Sequence, residues 1–222
     1  MKVLNLQMLF LFFLIALSCF KSGDAVDVVL DITGRKLTNN QAYHILQVVR
    51  TNGKDSTLGA FERGDNPYPR CKPSEKCTTF TIEKFSNRSA FGIPVKFEMN
   101  NAPVLLVSAD FNISTDSSFF PDDYTDPMWR LALDNATKVS YVTNGGDCCG
   151  TPPRFSGSWF RVGKIGTNYV LRSCYSVCKT CKPVCRDLGF SIVRGRKVLA
   201  FSNVPLKVAF ITRVDLFSHL FL

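Results

Sequence analysis

The sequence predicts an all-β fold, a single barrel or sandwich, from three observations. Short segments rich in β-branched and aromatic residues recur along the chain, at 43–50, 79–85, 138–143, 159–162, 169–171 and 207–212. Glycine, asparagine and proline separate them, as expected for strands joined by turns. No stretch after the N-terminal apolar segment keeps the helical period of apolar residues. We therefore expect about a dozen short strands in one domain rather than two.

The last of these segments indicates how the strands are buried. Leu206, Val208 and Phe210 fall on one face of a strand, whereas Lys207 falls on the other. Because side chains alternate across a strand, this pattern is typical of a sheet with one face against the core.

The N-terminus has the pattern of a secretory signal peptide. Met1-Lys2 is followed by an apolar core too short to span a bilayer, and Gly23-Asp24-Ala25 supplies small residues before a cleavage point. The sequence thus divides into a signal peptide at 1–25, one β domain at 26–213 and an apolar tail at 214–222. The tail is too short to cross a membrane and is interpreted as a removable vacuolar-sorting piece or a disordered end. Cleavage after Ala25 removes Cys19 from the nine cysteines, so that an even number enters an oxidising pathway.

Four cysteines near the C-terminus, Cys174, Cys178, Cys181 and Cys185, are symmetrically spaced. Facing positions in an antiparallel hairpin have residue numbers with a constant sum, and positions four apart on a strand share a face. Pairing Cys174 with Cys185 and Cys178 with Cys181 meets both conditions, so geometry favours this nested pairing among the three connectivities that four cysteines allow. A four-thiolate zinc site is the alternative, and the oxidising pathway disfavours it.

The other cysteines of the mature chain are Cys71, Cys77 and the adjacent pair Cys148 and Cys149. Neighbouring side chains in extended backbone diverge, so the adjacent pair is not expected to form a disulfide. We predict that Cys71 and Cys77 each bond one of Cys148 and Cys149, in an order that the sequence leaves open. The alternative is one such bond and two free thiols, one of which could join two subunits.

Composition limits the partners. The chain holds 27 Lys+Arg against 18 Asp+Glu, a formal net charge of +9, which favours acidic partners and solubility. No run of basic residues and no basic-aromatic repeat predicts a nucleic-acid groove. We therefore expect neither nucleic acid nor a membrane as the partner.

Three sequons begin at Asn87, Asn112 and Asn135. Each has the Asn-x-Ser/Thr pattern that secretory-pathway enzymes glycosylate, and each is a candidate for a glycan on an exposed loop. Sequons also arise by chance, so the pattern does not establish which are used.

An enzyme is not expected. The two histidines are His44, inside a strand, and His219 in the tail, and the cysteines are needed as crosslinks. No nucleophile-elbow, metal-ligand or phosphate-loop spacing is present, so no cofactor or metal is expected. Asp122 and Asp123 are interpreted as a solvated loop rather than a catalytic pair.

A series of motifs runs through the mature chain. They are Val29-Leu30-Asp31, Gly92-Ile93-Pro94-Val95-Lys96-Phe97, the tryptophan in Met128-Trp129-Arg130, Trp159-Phe160-Arg161-Val162-Gly163-Lys164, and Cys185-Arg186-Asp187-Leu188-Gly189-Phe190. In this order they resemble the plant Kunitz, or soybean trypsin inhibitor, family, over nearly the whole mature chain. The similarity is greatest to the miraculin-like branch, which carries the same four-cysteine cluster with the nested pairing.

This resemblance implies a β-trefoil of twelve strands in three pseudo-repeats, and protease inhibition by an exposed loop that docks as a substrate would. The family's loop follows the Gly-x-Pro-Val-x-Phe strand and corresponds here to residues 98–104. The implied contact residues are Glu98, Met99, Asn100, Asn101, Ala102 and Pro103. Asn39 matches the asparagine that supports the loop in the family, and an ordinary turn residue is the alternative interpretation.

The loop departs from the trypsin-inhibiting pattern. A trypsin-like pocket binds the side chain of Arg or Lys, and residues 98–104 contain neither. We therefore expect a protease with an apolar or small pocket, of the serine type first and the cysteine type second, bound by a monomer. The alternative is a storage or stress-defence protein without a target. A pigment carrier is less well supported, because residues 68–73 are charged where such carriers are apolar. We expect secretion to the apoplast, with the vacuole as the alternative.

Overall fold

The computed structural model describes residues 27–39, 41–51, 54–64, 80–84, 92, 94–99, 102–116, 128–144, 159–174 and 184–220. The predicted signal peptide at 1–25 lies outside these residues. So do Cys71, Cys77, Cys148, Cys149, Cys178 and Cys181, and also Asn87, Asn100 and Asn101. No helix in the part of the chain that the structure describes is long and apolar enough to cross a membrane.

Twelve strands and one short helix make up the described secondary structure. The strands are β1 (Tyr43–Thr51), β2 (Lys54–Gly64), β3 (Phe80–Lys84), β4 (Pro94–Met99), β5 (Phe111–Thr115), β6 (Trp129–Leu133), β7 (Ser140–Asn144), β8 (Trp159–Ile165), β9 (Asn168–Cys174), β10 (Cys185–Val193), β11 (Arg196–Phe201) and β12 (Lys207–Thr212). The helix α1 (Arg213–Leu220) follows β12 directly. The predicted all-β class is confirmed.

Six of the strands close into a barrel. Antiparallel pairing runs from β1 to β4, β5, β8, β9 and β12, and β12 pairs with β1 again. Closure leaves none of these six strands as a free edge.

The other six strands form three hairpins, β2–β3, β6–β7 and β10–β11, that cap one end of the barrel. Their strands β3, β7 and β11 pair with one another in every combination. The chain therefore repeats one unit three times: a barrel strand, a cap hairpin and a second barrel strand. This arrangement is a β-trefoil, as the resemblance implies.

The barrel interior is filled by alternate residues of each strand. In β4, Val95 and Phe97 are fully buried, whereas Glu98 is exposed. The Phe97 ring meets Phe111 and Phe210 edge to face, with ring centroids 5.5 Å apart in both pairs. Such edge-to-face pairs add to the free energy gained from burying the apolar area.

Residues 214–220 of the predicted C-terminal tail belong to a helix that packs against the barrel. Leu216 packs in a small cluster with Leu46 of β1 and Ile211 of β12. Thr212 caps the helix: its Oγ1 accepts a hydrogen bond from the backbone N–H of Asp215 at 3.3 Å, and its hydroxyl donates to the Asp215 carboxylate. The sequence does not predict this helix, because eight residues are too few for a helical period of apolar residues to show. The predicted domain boundary after residue 213 falls within this helix.

Strand direction places the loop between β4 and β5 at the barrel end opposite the cap. β1 leads into the first cap hairpin and β4 returns from it, so β4 ends at the open end of the barrel. The β8–β9 turn, the N-terminal segment 27–42 and the helix α1 lie at the same end, since Asp27 contacts Lys164 and Asp215 contacts Arg35.

Candidate functional site

The predicted contact loop leaves the barrel at the end of β4. Glu98 is exposed, but Met99 is 9% exposed and belongs to the main core. Met99 pairs with Phe111 at the end of the β4–β5 ladder and continues the inward alternation of Val95 and Phe97. The prediction of Met99 as a protease-contact residue is therefore corrected, since its side chain faces the core.

The C-terminal side of the loop is fixed by the N-terminal segment. Thr38 forms an antiparallel bridge with Val104, and Val28 forms one with Leu106. The N–H of Leu105 donates to Leu37 O at 2.9 Å, and the N–H of Val29 donates to Leu105 O at 2.9 Å. Residues 104–106 are thus a short strand-like run with the N-terminal segment beside it.

Asn39 reaches from this segment into the loop. Its Nδ2 donates a hydrogen bond to the backbone oxygen of Ala102 at 3.1 Å. Its Oδ1 is enclosed and accepts no hydrogen bond from the residues that the structure describes. Asn39 thus contacts the loop directly, and its role as the support of the loop stays a prediction.

Tyr43 ties Thr38, the residue before Asn39, to the core. The Tyr43 hydroxyl accepts a hydrogen bond from the N–H of Thr38 at 3.0 Å, and the Tyr43 ring lies 5.8 Å from that of Phe97. Tyr43 is 1% exposed, so this anchor is held in place by packing. In the sequence Tyr43 is part of a strand pattern, and nothing in that pattern connects it with the loop.

The exposed part of the loop is short. Pro103 is exposed and Ala102 is half-buried, while Asn100 and Asn101 lie outside the described residues. Proline fixes its own φ and restricts the residue before it to extended backbone. Ala102 and Pro103 therefore have little conformational freedom, and Pro103 forms a bend directly before the bridged residues 104–106.

The N-terminal segment is itself anchored by Asp31. Its carboxylate accepts the N–H of Thr33 at 2.9 Å, the N–H of Arg35 at 2.9 Å and the Thr33 hydroxyl at 2.6 Å, and pairs with the Arg35 guanidinium. Burial alone raises the pKa of Asp31, but these hydrogen bonds outweigh it and hold the pKa below its ordinary value. Arg35 also pairs with Asp215 of α1, which links both ends of the domain. The Asp31-Ile32-Thr33-Gly34 sequence is a turn signal that could have predicted this anchor.

The basic residue nearest the loop in sequence, Lys96, is paired with a carboxylate outside the loop. Lys96 Nζ lies 3.2 Å from the Asp116 carboxylate, on the side of β4 next to β5. No lysine or arginine is thus supplied to the loop by β4.

The outer disulfide of the C-terminal cluster is present. Cys174 and Cys185 face each other in the β9–β10 ladder with their Cα atoms 4.0 Å apart, and their sulfurs are bonded. A bond between these two residues argues against a zinc site built from four free thiolates. The inner pairing of Cys178 with Cys181, and the pairings of Cys71, Cys77, Cys148 and Cys149, fall outside the described residues.

The remaining predicted positions are separated by the fold. His44 is 1% exposed within β1, opposite Ile211, as expected for a packed strand residue. Asn112 lies in β5 and Asn135 lies in the exposed turn between β6 and β7. Neither of these asparagines belongs to the loop.

A closed β-trefoil with a hydrogen-bonded loop at its open end is the architecture of Kunitz-type proteins. Comparisons with known proteins support the same family. The chain belongs to the Kunitz legume family, whose model is described as trypsin and protease inhibitor and matches residues 29–212.

Three similar proteins illustrate the range of the family. The Kunitz trypsin inhibitor 5 of Arabidopsis thaliana is 32% identical over 92% of this chain and 97% of its own. Miraculin of Synsepalum dulcificum is 32% identical over 95% of this chain and 97% of its own. A solved Kunitz-type trypsin inhibitor from Cicer arietinum has a TM-score of 0.65 at 20% identity, over 84% of this chain and 99% of its own, which supports the fold alone.

Proposed function

We propose that the chain is a protease inhibitor that blocks its target with the loop between β4 and β5. Family membership supports this proposal, and one observation carries it: the hydrogen bond from Asn39 to Ala102 that ties the loop to the N-terminal segment. The contact surface is narrower than residues 98–104. With Met99 in the core, it consists of Asn100, Asn101, Ala102 and Pro103, flanked by Glu98.

A fixed loop can bind tightly although its interface is of ordinary size. Ordering a flexible segment opposes binding, so a loop already held in an extended shape loses less entropy when it docks. The bridge between Thr38 and Val104 and the Asn39 contact hold the C-terminal side of the loop before any enzyme arrives. The same contacts would retain that side if the loop were cut.

Trypsin is not the expected target. An aspartate at the base of the trypsin pocket requires a basic side chain, residues 98–104 contain none, and Lys96 is paired with Asp116. We propose a serine protease with a small or apolar pocket as the first target class and a cysteine protease as the second.

The cellular location and the oligomeric state of the inhibitor are also part of the proposal. The N-terminal segment 1–25 would direct the chain into the secretory pathway, and the protein would act in the apoplast, or in the vacuole if sorted there. It would act as a monomer that binds the enzyme without cofactor or metal and is not itself an enzyme.

A storage or stress-defence protein with no protease target is the second candidate. It is favoured by the absence of a basic residue from the loop and by the range of names among relatives of equal identity. A direct assay of protease inhibition distinguishes the two candidate functions.

Titration of the purified, oxidised protein against trypsin, chymotrypsin, an elastase, subtilisin and papain tests the proposal. We expect stoichiometric inhibition of at least one enzyme other than trypsin. Inhibition of none of the five would overturn the inhibitor proposal in favour of storage.

Replacing Asn100 by arginine tests whether the loop is a functional scaffold. Because the support around Ala102 is unchanged, the variant should gain trypsin inhibition. Lys96→Ala is the control, since it removes a paired base outside the loop and should leave inhibition unchanged.

Replacing Asn39 by alanine tests the support. Loss of a hydrogen bond worth about 1 kcal/mol should weaken inhibition roughly fivefold and make the loop easier to cleave. Asn203→Ala, in the exposed segment between β11 and β12, is the matched control. Equal inhibition constants for the two alanine variants would show that Asn39 is an ordinary turn residue.

A further inference from the structure

The two sequons that the structure describes differ in their surroundings. Asn112 lies within β5, where it pairs with Glu98 of β4. Its side chain is half-buried, its Oδ1 is enclosed, and Ser114 of the same sequon is 5% exposed. A sugar on the Asn112 amide nitrogen would therefore start from a half-buried side chain within a paired strand.

The Asn135 sequon has the opposite surroundings. Asn135, Ala136 and Thr137 are all exposed in the turn between β6 and β7. The turn is held from beneath by Asp134, which is fully buried and accepts hydrogen bonds from the N–H and the hydroxyl of Thr137, at 3.0 and 2.7 Å. A sugar at Asn135 would extend into solvent from a rigid base.

The two positions also lie at different ends of the molecule. Asn112 is one residue from the start of β5, at the open end of the barrel beside the contact loop. Asn135 is at the tip of a cap hairpin, and strand direction places the cap at the other end. A glycan at Asn135 would leave the loop accessible, whereas one at Asn112 would stand beside Glu98.

We propose that the folded, secreted protein carries an N-linked glycan on Asn135 and none on Asn112. The proposal rests on entry into the secretory pathway, which is part of the proposed function, but not on protease inhibition. The modifying enzyme acts on unfolded chain, so both sequons meet it. The fold then discriminates, because a sugar on Asn112 crowds a half-buried amide in a strand that must pair with β4, so chains modified there fold less well.

The donor is an oligosaccharide linked through pyrophosphate to a polyprenyl lipid. The Asn135 amide nitrogen forms a bond to the anomeric carbon of the sugar, and the bond from that carbon to the pyrophosphate oxygen breaks. The lipid pyrophosphate leaves with the electron pair, and the amide proton passes to a base of the transferase.

The experiment is expression of the full chain behind a proven secretory signal in plant or yeast cells, so that failure of the native leader does not affect it. The folded protein from the medium is treated with a peptide N-glycosidase in ¹⁸O water, and the label is located in peptides by mass spectrometry. We expect label at residue 135 and none at residue 112. An unlabelled Asn135, or a labelled Asn112, overturns the proposal, and Asn87 is read separately in the same digest.

Variants locate the glycan independently. Asn135→Gln and Thr137→Ala should each lose the mass of one glycan, whereas Thr137→Ser keeps both the sequon and a hydroxyl toward Asp134 and should retain it. Asn112→Gln should leave the mass of attached sugar unchanged. Loss of glycan in Asn112→Gln would contradict the proposal whatever the outcome of the inhibition assays.

Discussion

Gly189 shows at the scale of one residue why the motif ending in Phe190 needs a glycine. A Cβ at this position would lie 2.4 Å from the backbone oxygen of Val204 and 2.6 Å from Ser202 Cβ. The segment after β11 crosses β10 closely here, since the N–H of Leu206 donates to Leu188 O at 2.8 Å. Glycine is needed for the close approach of two backbones, not for an unusual φ.

We predict that Gly189→Ala destabilises the fold by about 2 to 3 kcal/mol, because the contact is with backbone that cannot move aside. Chemical denaturation of the oxidised protein measures this change. The control is Gly195→Asn, where φ is +80° and a Cβ meets open space, and asparagine tolerates that backbone, so the change should be within about 0.5 kcal/mol. Equal effects at the two sites would refute the close-approach explanation.

The burial of Met99 is also explained at the scale of one residue. Its place in the core follows from the alternation of Val95 and Phe97 in the same strand, a rule that applies equally to the sequence. The resemblance aligned a loop over residues 98–104, whereas the strand extends to Met99. The period of the strand was the better guide to this side chain.

At the scale of elements, the helix α1 and the N-terminal segment are joined by the ion pair between Asp215 and Arg35. Thr212-Arg213-Val214-Asp215 has the Thr-x-x-Asp pattern of a capping box, so the helix start could have been predicted. Its docking could not, because Leu46 and Arg35, which receive Leu216 and Asp215, are far away in sequence.

Leu216→Ala should destabilise the domain by about 2 kcal/mol, since it empties a contact with β1 and β12. Val214→Ala is the matched control in the same helix: Val214 is 76% exposed, so its truncation should change stability by less than about 0.5 kcal/mol. Denaturant midpoints of both variants check this. If Leu216→Ala matched Val214→Ala, the tail would be dispensable, as expected from the sequence.

Hairpins were the elements most open to sequence reasoning. The Cys174–Cys185 bond followed from a constant-sum rule that holds in any antiparallel ladder. By contrast β2, which is polar and contains two glycines, gives no clear alternation. Its place is set by pairing with β1 and β3, and pairing between strands is not a local property.

At the scale of the whole molecule, two buried carboxylates join separate parts of the trefoil. Asp31 closes the N-terminal turn, and Asp134 binds the Arg194 guanidinium at 3.0 Å and so links two cap hairpins. Burial alone raises the pKa of Asp134, but hydrogen bonds from Thr137 and Arg194 outweigh it and lower the pKa below the ordinary value of 3.8.

The pKa values of both carboxylates are lower in the folded protein than in the unfolded chain, so both stabilise the fold above the unfolded-state pKa, near 3.8. That stability is lost as the pH falls through the folded-state values. We therefore expect the contribution of these two carboxylates to the free energy of unfolding to be nearly constant from neutral pH to about pH 5 and to decline below about pH 4. Denaturant titrations across this range measure it.

The variant Asp134→Asn isolates the contribution of the Asp134 charge to the free energy of unfolding. It should be less stable than the parent by about 1 to 3 kcal/mol at neutral pH, and the two curves should converge in acid, where the parent carboxylate is protonated. A difference that stayed constant at low pH would mean that the charge of Asp134 is not the source.

The sequence by itself determined the all-β class, the strand at Tyr43, the outer disulfide and the absence of a basic residue from the loop. These depend on side-chain period, hairpin symmetry and composition, which are local. Only the tertiary structure decided that Asn39 contacts Ala102, that Tyr43, which anchors Thr38, packs against Phe97, and that residues 213–220 dock as a helix. Each of these contacts joins residues distant in sequence that barrel closure brings together, and closure is set by pairing between strands.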